Sequence, residues 1–289
     1  MRGWVVAACL AACGRVGFDD LLDAAVPLAD APSGPFGTPV PVDMALDPME
    51  DDDPTLTGDM LELYWETTRT GMFDVFVSTR TAVGTPWSPP VLVTGISTST
   101  TEASPEISGD GLTMMFTRYL STAVLQDIVV STRATREAAW EDAVPLAELN
   151  SPMNDYAAVI AGSGLEIFFH SERAGGMGGR DLYTSVRPNL ASPWGPPVPI
   201  VEFNSPGEDE SPFLLPGDLQ VLFGSSVSGN RDIYLSSRAG PGQPWGPPVP
   251  LAGINTPADE SDPWLSPDGH TLFFSTSRSG NSEIYQASR

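Results

Sequence analysis

Short runs of apolar residues, many of them alternating with polar ones, recur along the whole chain. Examples are "LELYW" (61–65), "LQVLF" (219–223) and "HTLFF" (270–274). Runs of this length predict β-strands that are buried on at least one face. No helical apolar period persists over three turns, and 28 glycines and 29 prolines supply the turns that many short strands need. The pattern therefore predicts an all-β protein.

A three-residue signature, an acidic residue followed by two aliphatic or aromatic ones, occurs five times, at intervals of 53, 54, 51 and 51 residues. An arginine stands six positions after each acidic residue. This fixed register predicts tandem structural units in which both side chains serve the unit itself. The acidic residues are Asp74, Asp127, Asp181, Asp232 and Glu283, and the arginines are Arg80, Arg133, Arg187, Arg238 and Arg289.

Each unit divides into four strand-length pieces separated by turn signals. The first two pieces are joined by a two-residue hairpin signal such as Asp268-Gly269. The third carries the signature, and the fourth is proline-rich, as in "WGPPVPL" (245–251). Four antiparallel strands in about 50 residues, repeated, describe the blade of a β-propeller. Prolines suit an outer edge strand, where a missing N–H costs little.

The fifth unit reaches Arg289 without a fourth strand, but a matching segment stands before the first unit. This segment, "PFGTPVPV" (35–42), has Phe36 where the other units have tryptophan, and Phe36 precedes Trp87 by one period of 51 residues. We expect it to pair with 283–289 and to close the ring, which removes exposed strand edges. The predicted fold is a five-bladed β-propeller with four antiparallel strands per blade.

The repeat resembles the WD40-like PD40 repeat of TolB-type propellers. "SPDG" (266–269), an apolar strand, "SRSG" (277–280) and "EIY" (283–285) follow its pattern, and "ERAGGMGGRDLY" (172–183) is similar to the version found beside OmpA-like domains. The resemblance covers roughly 35–289 and implies the fold. It implies no single activity, because the repeat occurs in scaffolds, peptidase accessory domains and envelope proteins.

The pattern of residues at the N-terminus predicts a bacterial export signal. One basic residue, Arg2, is followed by an apolar run and by Leu-Ala-Ala directly before Cys13. This order looks like a lipobox, which implies that residues 1–12 are removed and that Cys13 carries lipid; an ordinary signal peptide is the alternative. Residues 13–34 then form a tether and residues 35–289 the propeller. The prediction places the protein in the cell envelope, held to the membrane by its N-terminal lipid only.

The charge of the chain limits its partners. The formal net charge is −23, and the 14 basic residues are all arginine. The chain therefore has too few basic residues to neutralise the phosphates of a nucleic acid, and nucleic acid is not a predicted partner. The predicted partner is instead an envelope protein, and the propeller is expected to be monomeric.

Acidic residues collect in the loops that precede the first strands, and arginines in the loops between second and third strands. In a propeller these loops share one face, so we expect a ligand or partner surface there. Clustered carboxylates could also hold Ca²⁺, although no regular calcium loop is present. The alternative is that each carboxylate caps loop amides or pairs with a neighbouring arginine. The candidate residues are Asp51, Asp52, Glu102, Asp155, Asp209, Glu210, Asp259, Glu260, Arg173, Arg231 and Arg278.

Enzymatic motifs are missing from the sequence. There are two histidines, His170 and His270, without histidine neighbours at metal-ligand spacing, and there is no nucleophile elbow or phosphate-binding loop. The leading hypothesis is a non-enzymatic binding or scaffold protein with no cofactor. The alternative is a glycoside hydrolase that uses carboxylates at the propeller channel.

Overall fold

A computed structural model of the chain describes residues 34–44, 49–119 and 125–289. These residues form twenty β-strands in five separate four-stranded antiparallel sheets. Each sheet is one blade of a propeller, so the predicted fold class is confirmed. The predicted signal (1–12), the lipid-bearing Cys13 and all of the tether except Gly34 lie outside the described residues.

The four blades that are continuous in sequence have the same strand order, from the channel outward. Blade 1 contains β2 (Asp51–Leu56), β3 (Glu62–Thr67), β4 (Asp74–Thr79) and β5 (Val91–Leu92). Blade 2 contains β6 (Glu102–Ile107), β7 (Thr113–Tyr119), β8 (Gln126–Thr132) and β9 (Val144–Pro145). Blade 3 contains β10 (Asp155–Ile160), β11 (Glu166–Ser171), β12 (Asp181–Val186) and β13 (Val198–Pro199). Blade 4 contains β14 (Asp209–Leu214), β15 (Gln220–Ser225), β16 (Asp232–Ser237) and β17 (Val249–Pro250).

Blade 5 is shared between the two ends of the described chain. Its strands are β18 (Glu260–Leu265), β19 (Thr271–Thr276), β20 (Glu283–Ser288) and the outer strand β1 (Val40–Pro41). Strand β1 pairs antiparallel with β20, and flanking backbone bonds join Gly37 to Ser288 and Val42 to Ile284. The predicted closure of the ring by 35–42 is confirmed. All five outer strands are only two residues long, because prolines interrupt their ladders.

Five clusters of buried apolar side chains, one at each junction between neighbouring blades, hold the ring together. At the junction of blades 5 and 1, for example, Trp65 and Leu63 pack with Trp264 and Phe273. The clusters of the other four junctions have the same composition of large aliphatic and aromatic side chains. Since each blade buries both faces in this way, the core is a ring between blades and the first strands surround a narrow central channel.

The repeated arginines have one structural role in all five blades. The Nε of each donates to a backbone carbonyl of the hairpin between first and second strands, as from Arg238 to Asp218 O at 2.8 Å. Each guanidinium also lies 4.2–4.6 Å from the centre of an aromatic ring at the start of the outer strand. The tryptophan series therefore stacks on these arginines within its own blade, and Trp245 also contacts Phe168 and Phe203 from blade 3 and its connection to blade 4.

Candidate functional site at the channel mouth

The acidic residue that opens each first strand is buried. We call these five residues the blade acids, and all of them are at most 3% exposed. In four blades an arginine from the end of the second strand or from the loop after it pairs with the blade acid, as Arg69 does with Asp51 at 3.0 Å and Arg278 with Glu260 at 3.0 Å. The blade acids are Asp51, Glu102, Asp155, Asp209 and Glu260.

The blade acids also accept hydrogen bonds from the loops that precede them. Glu260 accepts from the Thr256 amide at 2.7 Å, and Glu102 accepts from the Thr98 amide at 2.8 Å. In blade 4, where Val227 stands in place of the arginine, Asp209 accepts from Ser225 Oγ and from the Ser205 amide. The structure therefore favours the capping alternative for the five blade acids, and also for Arg173 and Arg278. Their burial leaves them no surface for a large partner.

A bulge in each first strand determines which residues surround the channel. The third residue of each of these strands has a positive φ of 46–52°, and the strand register shifts directly after it. Such backbone is unusual for residues other than glycine and costs about 1–2 kcal/mol at each position. The five residues are Asp53, Ser104, Ala157, Ser211 and Asp262.

The amide of the bulged residue is bound by a side chain from the second strand of the preceding blade. Glu66 accepts from Ser104 N at 2.5 Å, and His170 Nδ1 accepts from Ser211 N at 3.1 Å. Thr117 and Ser275 have the same role for the amides of Ala157 and Asp53, at 3.4 and 3.1 Å. Blade 4 has Gly224 at this position and offers no side chain to the amide of Asp262. The inter-blade contacts are therefore regular except between blades 4 and 5.

Four carboxyl groups meet on the blade 1 and blade 5 side of the channel: Asp52, Asp53, Glu66 and Asp262. Burial, together with the charges of Asp262 and Glu66, raises the pKa values of Asp52 and Asp53 well above their usual range. Burial raises the pKa of Glu66 to about 7. Burial also disfavours ionised Asp262, but hydrogen bonds from Asp53, Ser211 and Ser261 lower its pKa below the usual value. At neutral pH this side is a partly protonated, hydrogen-bonded cluster.

Two arginines bracket one carboxylate on the opposite side of the channel. Arg180 Nη1 lies 2.7 Å from Glu210 Oε2, and Arg231 pairs with the other oxygen of Glu210. Glu208 and Glu172 lie farther from Arg180 Nε, at 3.6 and 3.9 Å. The Arg231 amide also donates to Asp259 at 2.9 Å. The side chains of Arg180 and Arg231 are 33% and 37% exposed, so this side is open to an approaching molecule.

His170 and Tyr156 lie on the Arg180 side of the mouth. The Tyr156 ring stacks on the His170 ring with 4.9 Å between centroids, and Arg180 lies 5.1 Å from the Tyr156 ring. Burial and the nearby charge of Arg180 lower the pKa of His170 well below its usual range. The imidazole is therefore neutral, and because Nδ1 accepts from Ser211, Nε2 carries the hydrogen. With its hydrogen on Nε2, His170 is not set up as a general base through that atom.

Seven ionisable residues of the two sides define the surface that we call the channel mouth: Asp52, Asp53, Glu66, Asp262, Arg180, Glu210 and Arg231. Glu66 and Glu210 are themselves only 6% and 5% exposed, so the other five present the accessible groups. Directly below it lies a chamber of only about 30 Å³, lined by the bulged residues and by Glu106. Such a volume holds about one or two water molecules. A sugar ring does not enter the chamber in this conformation, so binding is confined to the rim.

The structure brings together only some of the residues that the sequence pointed to. Asp52, Glu210 and Arg231 belong to the mouth, and Asp259 lies at its edge, whereas the blade acids do not contribute to it. Sequence reasoning missed Glu66 and His170 as inter-blade acceptors and Glu106 as a channel residue. A signal did exist for Glu66 and His170, which are the two ionisable residues at one repeat position that is Thr, Gly or Ser in the other blades.

Among residues 34–44, 49–119 and 125–289, no three His, Cys, Asp or Glu side chains are arranged to hold a metal ion. Within the same ranges, no helix has the length and apolar character needed to cross a membrane.

Comparison with known proteins gives structural matches only. No family model matches the chain, and no curated protein sequence matches it. The endo-arabinase from Bacteroides thetaiotaomicron VPI-5482 superposes with a TM-score of 0.62 at 15% identity, over 89% of this chain and 98% of that one. The catalytic domain of the Coprinopsis cinerea GH62 alpha-L-arabinofuranosidase gives 0.60 at 13% identity, over 89% and 98%. TolB from Acinetobacter baumannii gives 0.52 at 19% identity, over 84% of this chain and 55% of that one.

The matched structures therefore include both glycoside hydrolases and TolB propellers. This chain spans only about half the length of the Acinetobacter TolB. At identities below 20%, a structural likeness carries the fold and not the chemistry, because unrelated functions share this architecture. What the comparisons establish is that the chain folds as a β-propeller.

Proposed function

We propose that this protein is a non-enzymatic binding module of the cell envelope, and that its partner docks on the channel mouth. The observation that carries the proposal is the contrast between two sets of charges. The blade acids recur in every blade and are buried by pairing within the blade, whereas the mouth residues are particular to individual blades. A charge arrangement that the repeat does not require is a candidate for recognition.

The mouth has two chemically different halves, which defines the partner surface it fits. The half formed by Asp52, Asp53, Glu66 and Asp262 accepts a basic or amide-rich group. The half formed by Arg180, Glu210 and Arg231 accepts a carboxylate. A protein segment with a basic and an acidic side chain a few residues apart is complementary to both halves.

The envelope location rests on the sequence. The lipobox-like segment before Cys13 supports a lipid anchor, and the PD40-type repeat supports a place among TolB-type envelope propellers. With a lipid as the only membrane attachment, the tether 13–34 leaves the propeller free to meet a partner. Inner or outer membrane attachment are both compatible with this arrangement.

The test is a cross-linked pull-down from envelope fractions with the full lipidated protein as bait. Arg231→Gln and Asp52→Asn together remove one charged group from each half of the mouth. Glu148→Gln and Glu202→Gln form the matched control, because both lie exposed in loops on the same face outside the mouth. Loss of one protein from the mouth variant but not from the control supports the proposal. Retention of every specific partner by the mouth variant refutes it.

Glycoside hydrolysis is the second candidate, and one observation favours it. Glu106 and Asp262 line the same chamber, and their pKa values move in opposite directions: burial raises that of Glu106 to about 8, and hydrogen bonds lower that of Asp262 despite burial. Opposite pKa shifts of this kind are typical of a general acid and the carboxylate that acts with it in catalysis. The small volume of the chamber argues against it. Turnover of a polysaccharide panel that is abolished by Glu106→Gln would establish this candidate.

A further inference from the structure

The channel contains a second cavity on the face opposite the mouth. We call it the lower cavity; its volume is about 150 Å³. Its rim consists of the five hairpins between first and second strands, and its wall is apolar. The lining residues include Leu56, Ile107, Val159, Ile160, Phe213, Leu214, Trp264 and Leu265.

One carboxyl group interrupts this apolar wall. Glu106 lines both the lower cavity and the chamber above it. The fifth residues of the other first strands are neutral: Thr55, Val159, Phe213 and Trp264. Thr55 Oγ1 donates to Glu106 Oε2 at 3.1 Å, and no other hydrogen bond to this carboxyl is present among residues 34–44, 49–119 and 125–289. Within the described part of the chain, no cationic side chain lies close enough to this carboxyl to lower its pKa.

An ionised carboxylate in an apolar cavity is unfavourable unless a cation or a proton accompanies it. We propose that the lower cavity binds a small primary ammonium compound with an apolar body. The ammonium group pairs with Glu106, and the body lies against Phe213 and Trp264. A cavity of this volume accommodates a single six-membered ring. The site lies at the opposite end of the channel from the mouth, so this inference does not depend on the proposed partner.

Binding is linked to protonation of the same carboxyl. Burial raises the pKa of Glu106 to about 8, so at pH 7 the group is protonated and an ammonium ligand must displace that proton. The other ionisable residues that line the two cavities are Asp53 and Asp262 above Glu106 and Asp218 at the lower rim. Asp218 accepts from the amides of Gly162 and Ser163 at 2.9 and 3.4 Å.

The experiment is isothermal titration of the full chain with benzylamine and with its neutral analogue benzyl alcohol. Benzylamine affinity should rise close to tenfold per pH unit from pH 6 to about pH 8, because the ligand keeps its proton throughout this range. Benzyl alcohol affinity should change less than threefold. Absence of benzylamine binding at pH 8.5, or an affinity that does not change with pH, overturns the proposal.

Glu106→Gln is the isosteric control, since it keeps the hydrogen-bond partner of Thr55 and the shape of the wall. In this variant benzylamine affinity should fall at least tenfold at pH 8.5 and should no longer depend on pH. Benzyl alcohol should still bind, which shows that the cavity is intact. Equal benzylamine affinity in the variant and the parent overturns the assignment of Glu106. Loss of binding of both benzylamine and benzyl alcohol in the variant refutes the role of Glu106 as a specific ammonium partner.

Discussion

The guanidinium of Arg289 lies 4.6 Å from the centre of the Phe36 ring, although 253 positions separate the two residues in the sequence. Arg289 also donates to the Gly269 carbonyl at 2.8 Å. The other four blades repeat both contacts with a tryptophan in place of phenylalanine. The same interaction that organises each blade internally therefore also joins the first described segment of the chain to the last.

Removing the Phe36 ring should destabilise the whole ring of blades. Phe36 is only 6% exposed and packs in the apolar cluster between blades 4 and 5. We expect Phe36→Ala to lower the free energy of unfolding by about 3–5 kcal/mol, in the range of other buried aromatic truncations. Val40→Ala, four residues later in β1 and at 50% exposure, should cost less than about 1 kcal/mol. Equal unfolding midpoints in denaturant for Phe36→Ala and the parent would contradict the closure.

Arg238 tests the role of the repeated arginines. Its guanidinium forms two bonds to Glu166 at 2.7 and 3.1 Å and stacks 4.3 Å from Trp245. We expect Arg238→Ala to lower the free energy of unfolding by about 3–5 kcal/mol, because it leaves Glu166 without its partner. Arg136→Ala breaks the more exposed pair with Asp59 and should cost at most about 1 kcal/mol. Chemical denaturation measures the free energy of unfolding of both variants. A small loss of stability in both would contradict the structural role of Arg238.

Gly224 marks the one junction where the inter-blade contact lacks a side chain. A Cβ at this position would lie 3.6–3.7 Å from its neighbours, which is ordinary contact. Gly224→Ser should therefore place a hydroxyl where it accepts from the Asp262 amide, as Ser275 does for Asp53. We expect it to stabilise the fold over Gly224→Ala by about 0.5–1.5 kcal/mol, the net value of one hydrogen bond. Thermal melts of the three proteins give the comparison, and equal stability of the Ser and Ala variants would argue against the missing contact.

The stability of the fold should depend on pH through Glu106. Its folded-state pKa of about 8 lies above the ordinary value of 4.5, so between these two pH values the folded state holds a proton that the unfolded state releases. The unfolding free energy therefore falls as pH rises through this window, by up to about 1.4 kcal/mol per pH unit for one proton. Glu106→Gln removes this contribution.

The variant should consequently gain stability over the parent as pH increases from 5 to 8.5. Urea titrations at four pH values measure this difference. The mouth carboxyls are present in both proteins, so their own pH dependence cancels in the subtraction. A stability difference that is constant with pH would show that Glu106 does not titrate in this window.

The repeats made the blades and the closing strand predictable, because a fixed spacing of signature, arginine and tryptophan needs no knowledge of three-dimensional contacts. The acidic face was harder to interpret. From sequence alone Asp51 and Asp52 are equivalent neighbours, yet Asp51 is buried against Arg69 and Asp52 faces the channel. The alternation of side chains along β2 separates them, and the sequence does not show which of the two points outward.

Glu106 could not be recognised as a channel residue for a related reason. The bulge after the third residue of each first strand changes the side on which the following residues lie. Simple alternation would place the fifth residue of the first strand on the same side as the buried blade acid, whereas with the bulge Glu106 faces the channel. A positive φ at Ser104 or Ala157 is not signalled by residue type, so the feature that shapes the channel becomes visible only in the structure.

The most direct test of the central claim, that a partner docks on the channel mouth, is a map of photo-crosslinks in intact cells. A photoreactive amino acid at position 177, in the blade 3 loop beside the mouth, is compared with the same group at 219 and 249. These three residues are exposed by 60%, 36% and 52%, and they sample the mouth face, the opposite face and an outer edge. A protein crosslinked from 177 and absent from 219 and 249 is the predicted result. Crosslinking of that protein from 219 or 249 but not from 177 would contradict the account.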